Sequence, residues 1–279
     1  SALAAAPAAL AAPAGPLTFR YAQSPGAAAN LQSLDVYGAE KGARRPVMAF
    51  IHGGGWAIGD KANPAHGRQK APAFVARGMV FASLNYRLSP AVKHPAHIRD
   101  VAAAIAWLHD HCDEIGGDRE RLYVMGHSAG AHLAALVATD ETRLGAHDLP
   151  LTILKGAIPI DGAGYDISAE APIAIRRRGL LGKMYADAFG ADGSLWADAS
   201  PVSHVAPGKG IPPFLLPYTG RPSAGAQANE LAAALKRAHV EANVLHSPNQ
   251  NHMQINHDIG KPGDMVTEAI YAALSRWGA

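Results

Sequence analysis

Two apolar rhythms alternate along the chain. Short runs with apolar side chains at every second position, or at consecutive positions, read as strands; longer runs with apolar residues three and four apart read as helices. Leu17–Tyr21 and Leu31–Tyr37 alternate and predict edge strands. Pro46–Ile51 (PVMAFI) is continuously apolar and runs straight into glycines, as a strand covered on both faces does. Pro72–Arg77 is expected on a helix and Met79–Asn85 (MVFASLN) on the next strand. In Ile98–His109, Val101, Ile105 and Leu108 fall at helical spacing, with Asp100 expected near the helix start, where the dipole favours an anion. Arg121–Met125 predicts a strand that meets GHSAG and continues as the Ala/Leu-rich helix His132–Thr139. Leu154–Ile160, Pro213–Tyr218 and Val240–Leu245 predict three more strands. Strands alternating with helices in this way predict an α/β fold, a mostly parallel central sheet with helices on both faces.

Between the first two of those last strands lie about fifty residues, 162–210, rich in Gly, Ala and Arg and including IAIRRRGLLGKMYADAF. Connections of that length are commonly functional, so this one is expected to form a small helical, lid-like insertion before the penultimate strand. No internal repeat is visible, and residues 17–279 read as one domain preceded by a leader, residues 1–16. That leader, SALAAAPAALAAPAGP, is uncharged low-complexity Ala/Pro and reads as flexible. It fits either the remainder of a cleaved signal peptide, which leans towards a periplasmic or secreted protein, or a simple tail.

Composition narrows the partners. The 279 residues carry 25 basic and 23 acidic side chains, a near balance that advertises no basic face for nucleic acid. A small-molecule substrate is the expected partner. No apolar run approaches the roughly 18 to 20 residues of a membrane-spanning helix, so no membrane partner is expected. The single cysteine, Cys112, sits in a polar helix-end stretch and leaves no intrachain disulfide or Cys-based zinc site. No HExxH-type spacing appears among the fourteen histidines, so neither metal nor organic cofactor is expected.

The strongest chemical signal is Gly126-His127-Ser128-Ala129-Gly130 between a predicted strand and a predicted helix. A serine nucleophile needs its oxygen exposed on a tight turn, and flanking glycines let strand and helix pass without a side-chain clash. An ordinary Ser in a turn would show the same five letters, but not the strand before and the Ala-rich helix after. Upstream stands an independent signal, His52-Gly53-Gly54-Gly55-Trp56, directly after a buried strand. Three successive glycines leave backbone N–H groups unshielded, which suits donation to a developing oxyanion. The two elements come in the order of the α/β-hydrolase fold. Gly54 and Gly55 N–H, with Ala129 N–H, are the expected oxyanion-hole donors.

HGGGW, then Tyr86-Arg87-Leu88-Ser89-Pro90 with Pro95 and Asp100, then GHSAGAH, resembles the esterases grouped around hormone-sensitive lipase, together with feruloyl esterase-like and kynurenine formamidase-like hydrolases. The resemblance runs from about Leu17 to the C-terminus. GHSAGAH leans towards the formamidase and feruloyl esterase side, HGGGW towards hormone-sensitive lipase. It implies an α/β-hydrolase serine esterase, with the base in Asn249-Gln250-Asn251-His252-Met253 after the last strand. His252 is the candidate there; His246 falls in or at the end of the strand and His257 beyond a plausible helix start.

The family's acid follows the penultimate strand, a few residues past Tyr218. This sequence has Thr219-Gly220-Arg221-Pro222-Ser223-Ala224-Gly225 there, and no acidic residue between Asp198 and Glu230. Asp161, at the end of Leu154–Ile160, ranks first as a replacement because that strand should neighbour the nucleophile strand; a structural Asp capping the next loop is the plainer explanation. Glu230 from a helix, or a Ser–His dyad steadied by Ser223 or a backbone carbonyl, are the alternatives. Asp100 and Asp166 look structural. Arg176-Arg177-Arg178 reads as a solvated lid face rather than an anion site, and Trp56 and Tyr86 as neighbours of the pocket or core fillers.

With so short a stretch before the first strand, the pocket is expected to be fairly open and to favour short acyl groups or bulky alcohols. The functional expectation is a serine carboxylesterase acting on small or aromatic esters. An arylformamidase using the same machinery, and a weakened hydrolase-fold binding protein, are the other two readings.

Overall fold

The computed structural model describes residues 15–279; most of the expected leader, residues 1–14, lies outside the described residues. Eight strands form one sheet: β1 (Leu17–Arg20), β2 (Ser33–Tyr37), β3 (Arg45–Ile51), β4 (Val80–Leu84), β5 (Gly117–His127), β6 (Leu154–Ile160), β7 (Phe214–Thr219) and β8 (Ala242–Ser247). Their spatial order is β1-β2-β4-β3-β5-β6-β7-β8. β1 pairs antiparallel with β2 and β2 with β4; every other pairing is parallel.

The helices are α1 (Ala71–Val75), α2 (Ala96–Asp110), α3 (Cys112–Ile115), α4 (Ala129–Thr139), α5 (Glu141–Gly145), α6 (Ile167–Arg176), α7 (Leu180–Phe189), α8 (Trp196–Ala199), α9 (Pro222–Arg237), α10 (His252–His257) and α11 (Met265–Arg276). They divide between the two faces of the sheet. Along β3, Val47, Ala49 and Ile51 enter one core while Met48 and Phe50 enter the other; β5 repeats this with Leu122 and Val124 against Tyr123 and Met125. Ile105 of α2, Leu133 of α4 and Leu231 of α9 fill the first core, and Phe74 of α1, Ile255 of α10 and Ile270 of α11 the second. Successive strand residues point to opposite faces, so a strand covered on both sides must be apolar throughout, which is what PVMAFI announces.

Several boundaries move for identifiable reasons. β2 starts at Ser33, because Ala29–Gln32 coil into a 3-10 turn before it. α1 ends at Val75, short of Arg77, ahead of Gly78 at φ 77°. β5 reaches back to Gly117, beyond the core-facing run, through the partly or fully exposed Asp118, Arg119 and Glu120. Cys112, expected in a polar setting, is buried, and burial pushes its thiol up to about 12.

Asp100 departs from its expected position. α2 begins at Ala96, so Asp100 lies beyond the first turn, and its carboxylate is taken by a long-range partner. Oδ2 accepts Arg87 N–H (2.9 Å) and Nε (2.8 Å), and Oδ1 accepts Arg87 Nη2 (2.8 Å) and Gln32 Nε2 (2.9 Å). A two-pronged guanidinium contact is stronger than the partial charge of a helix end. Asp166, by contrast, is structural as expected: it caps α6, its side chain accepting Ala169 N–H at 3.0 Å.

Residues 162–210 carry α6, α7 and α8, with Arg176, Arg177 and Arg178 exposed at the end of α6. Met184 of α7 reaches in to the glycine loop after β3; a Cβ on Gly55 would lie 2.2 Å from its Cε.

One ion pair is buried at the antiparallel side of the sheet, Lys61 Nζ at 2.9 Å from Asp35 Oδ1, with the side chains 6% and 5% exposed. Removing one partner strands the other charge away from water. Lys61→Met is expected to cost about 3–5 kcal/mol. The double variant Asp35→Leu/Lys61→Met, which leaves no charge behind, should recover most of that loss. Urea denaturation of both variants checks this; a double variant as unstable as the single would show that the cost lies in packing, not charge.

Candidate active site

β5 runs directly into a turn at Ser128, which adopts φ 58°, ψ −119°, and α4 starts at the next residue. A positive φ at a residue with a side chain is strained, and it survives only where the surroundings enforce it. Here the two flanking glycines do so. A Cβ on Gly126 would lie 2.1 Å from the carbonyl oxygen of Gly130, and one on Gly130 would lie 2.2 Å from that of Ile51. Only backbone fits between strand, helix and β3. Ser128 N–H is spent on Ile160 O at 3.0 Å, which ties the turn to the end of β6.

Ser128 Oγ lies 3.0 Å from His252 Nε2, and His252 Nδ1 lies 2.6 Å from Asp161 Oδ2. A carboxylate only accepts, so Nδ1 carries the imidazole proton and Nε2 is left to accept from the serine hydroxyl. His252 is the first residue of α10, and Asn251 holds that end: its side chain accepts Met253 N–H (3.0 Å) and Gln254 N–H (2.9 Å), while Gln254 Oε1 accepts Asn251 N–H (3.0 Å). This reciprocal cap fixes where the imidazole leaves the backbone.

Asp161 follows β6, whose last residue Ile160 pairs with His127 just before the serine. Neighbouring parallel strands thus end side by side, one on Ser128 and the other on Asp161. The carboxylate is well furnished. Oδ1 accepts Thr219 N–H (2.9 Å) and the Thr219 hydroxyl lies at 3.1 Å from both oxygens; Arg221 Nε donates to Oδ2 at 3.1 Å. Burial works to raise this carboxyl, but the His252 hydrogen bond, the Thr219 N–H and the Arg221 charge outweigh it and hold it down at about 2. Of the alternatives weighed from sequence, Glu230 and Ser223 are exposed on α9, and among the described residues neither meets His252.

His127 was legible only as the variable position of GHSAG, and it has a structural task. Its Nε2–H donates to the His252 carbonyl at 2.8 Å, and its ring lies 4.5 Å from the His252 ring. Burial, reinforced by His252, lowers it to about 3, so it is neutral and keeps one nitrogen as a donor. Thr219 and Arg221 were likewise invisible as site residues, since nothing local marks them as partners of an aspartate some sixty residues away.

The glycine loop after β3 adjoins the Ser128 turn. Gly54 (φ 115°), Gly55 (φ 59°) and Trp56 (φ 59°) are all left-handed, and a Cβ on Gly54 would lie 2.1 Å from Ile58 O. Gly53 runs beside the serine, its hypothetical Cβ 3.1 Å from Ser128 Cβ. Among the described residues the N–H groups of Gly53, Gly54, Gly55 and Ala129 find no acceptor within the chain. The expected donors Gly54, Gly55 and Ala129 are therefore unpaired within the described chain, as is Gly53, which the motif alone did not single out. Trp56 and Tyr86 fill the core behind the loop: Trp56 Nε1 donates to His132 Nδ1 (3.2 Å) and Tyr86 hydroxyl to His52 O (3.1 Å).

Ser128, His252 and the glycines open on a cavity of about 390 Å³. Ile58, Met184 and Met253 supply apolar wall, and Asn63, His66 and Asn256 a polar one. Of the rivals of His252, His246 is on β8, stacked on Tyr218, while His257 closes α10 and lines the same cavity, but among the described residues neither bonds Ser128 or Asp161. Among the described residues one trio, Asp140, Asp198 and His204, has ligand atoms close enough for a metal, but the Arg143 guanidinium already bridges it, 2.7 Å from Asp140 and 2.8 Å from Asp198.

The chain is similar to several known proteins. The BD-FAE family model matches residues 34–152. Esterase LipQ of Mycobacterium tuberculosis is 34% identical over 230 residues, covering 76% of this chain and 51% of LipQ. Kynurenine formamidase of Meyerozyma guilliermondii is 35% identical over 139 residues, half of each chain. The chain spans about half the length of these curated relatives. Among solved structures, an inhibited esterase B from Lactobacillus rhamnosis superposes with TM-score 0.74 at 22% identity over 93% of this chain and 85% of that one. A Pyrobaculum calidifontis esterase does so with TM-score 0.71 at 22% identity over 88% and 81%. Fold and sequence matches together show the α/β-hydrolase fold in a chain that resembles the hormone-sensitive lipase, feruloyl esterase-like and kynurenine formamidase-like group.

Proposed function

We propose that this chain is a serine carboxylic ester hydrolase acting on small or aromatic esters, with Ser128 as nucleophile, His252 as general base and Asp161 as the acid that orients it. One observation carries this reading: the unbroken hydrogen-bond chain Ser128 Oγ–His252–Asp161, at 3.0 and 2.6 Å, beside four backbone N–H groups with no acceptor of their own. The esterase and carboxylesterase names of its relatives support it.

His252 Nε2 takes the Ser128 proton as Oγ attacks the ester carbonyl carbon. The Asp161 carboxylate steadies the imidazolium so formed and keeps Nε2 aimed at the serine. Negative charge gathering on the former carbonyl oxygen is met by Gly54, Gly55 and Ala129 N–H, with Gly53 adjoining, in a site where these dipoles already point the right way. The tetrahedral intermediate collapses as His252 hands its proton to the departing alcohol. Water then attacks the acyl-enzyme by the same steps, releasing the acid and restoring Ser128.

A cavity of about 390 Å³ suits small esters, and Met184 and Met253 give an acyl or aryl group apolar wall to lie on. The insertion 162–210 serves as a lid-like wall, contributing Met184. A second reading has a specific match behind it. The kynurenine formamidase relative allows the same groups to release formate from an aryl formamide.

On a p-nitrophenyl ester series, the wild type should be fastest from acetate to butyrate and fall away towards decanoate. Ser128→Ala should lose about 10⁶-fold in kcat. Asp161→Asn should lose about 10⁴-fold, since the amide leaves the imidazole in the wrong tautomer. Equal rates for wild type and Ser128→Ala would sink the esterase reading. Comparing N-formylkynurenine with phenyl acetate separates the two readings: a kcat/KM for the formamide exceeding that for the ester would favour the amidase.

The low Asp161 value also has a consequence for stability. A carboxyl held at about 2, against about 3.9 in the unfolded chain, stabilises the fold above that unfolded value and loses this contribution as pH falls from about 4 to 2. Acid denaturation of Asp161→Asn should therefore lack a component that the wild type shows across that window. Superimposable pH–stability curves would refute it.

A further inference from the structure

Arg221 stands in the segment after β7, where the resemblance places a family acid, and it contributes a cation instead. Its guanidinium grips one residue twice. Nε donates to Asp161 Oδ2 at 3.1 Å with Nη2 at 3.0 Å from the same oxygen, and Nη2 also donates to the Asp161 main-chain carbonyl at 2.8 Å. Thr219, two residues earlier, supplies an N–H and a hydroxyl to the same carboxylate. The Asp161 N–H is itself bonded to Pro217 O at 2.7 Å. Among the described residues, every hydrogen bond to Asp161 apart from that of His252 therefore comes from Pro217–Arg221.

Asp161 needs this hold. It sits at φ 44°, a left-handed conformation that a residue with a side chain keeps only under constraint. Its side chain is fully buried, so the carboxylate meets no water that could stand in for a lost partner. Oδ2, which takes the His252 proton donor at 2.6 Å, is also the oxygen that Arg221 holds.

We infer that Arg221 is a positioning residue of the hydrolytic site, a guanidinium clamp that holds the Asp161 carboxylate against His252. This rests on the reading of Asp161 as the triad acid. The clamp matters because Oδ2, the oxygen that meets His252, is also the one Arg221 holds, so losing the guanidinium frees the carboxylate to rotate away from the imidazole. The planar fork matters as well as the charge. A lysine can approach Oδ2 with one ammonium but cannot also bind the main-chain carbonyl in a fixed geometry.

The test uses the full chain with Arg221→Met, Arg221→Lys and Asp161→Asn. Four quantities are measured for each: kcat and KM on p-nitrophenyl acetate, the thermal midpoint, and the far-downfield proton resonance of the His252 Nδ1–H shared with Asp161. Arg221→Met should lower kcat about 10²-fold, the scale of a misplaced catalytic group, with KM little changed and the downfield resonance broadened or lost. Arg221→Lys should recover part of kcat and of the resonance. If Arg221→Met keeps wild-type kcat and resonance, the clamp is purely structural and the inference fails, whatever happens to the melting temperature. Should Arg221→Met not fold, Arg221→Lys decides: reduced kcat at an unchanged thermal midpoint supports the clamp, and wild-type kcat overturns it. Asp161→Asn keeps the two failures apart. If it is as active as wild type, the reading of Asp161 has failed; if it loses about 10⁴-fold while Arg221→Met keeps wild-type kcat, only the clamp has.

Discussion

The site depends on backbone segments coming closer than any side chain would permit. Gly126 faces the Gly130 carbonyl, Gly130 faces the Ile51 carbonyl and Gly53 faces the His127 carbonyl, each at a distance where a Cβ would collide. Through these contacts the turn at Ser128 is pressed against the loop after β3. That proximity brings a serine hydroxyl and a group of unpaired N–H donors to one side of the same cavity. The strain at Ser128 is sustained by the same packing, since β5, α4 and β3 leave the turn no room to relax.

The parallel sheet supplies the second requirement. Because β5 and β6 are neighbours pointing the same way, their carboxyl ends open on the same crevice, which is where open α/β sheets gather ligands and reacting groups. His252 arrives from a short helix whose start is fixed by its own cap, and His127 braces its carbonyl from below. The imidazole is therefore located by its backbone rather than by its hydrogen bonds alone. Asp161 is held by β7 and the segment after it, so four separate chain segments converge on the Ser128–His252–Asp161 hydrogen-bond chain.

The insertion has its own part in shaping the site. α7 delivers Met184 against Gly55 and adds to the apolar wall that Ile58 and Met253 also form. Nearby, Trp56 and Tyr86 carry out no chemistry in the proposed mechanism but keep the glycine loop in place, one by bonding His132 and the other by bonding the His52 carbonyl.

The sequence by itself determined what is local. The two-sided apolarity of PVMAFI and RLYVM announced strands inside a covered sheet, and Gly-x-Ser-x-Gly between strand and helix announced a tight turn, because each depends only on neighbouring residues. The α/β fold was legible for that reason, as was the run of glycines that had to lie near Ser128. Tertiary structure decided the rest. Asp100 looked like a helix-start residue until Arg87 and Gln32 were seen around it. Asp161 was one of several open choices for the acid, and no spacing could say that Thr219 and Arg221 surround it or that His127 supports His252. A carboxylate's role is set by which groups reach it in space, and in a sheet whose sequence-distant strands lie side by side, those groups come from parts of the chain that local pattern cannot connect.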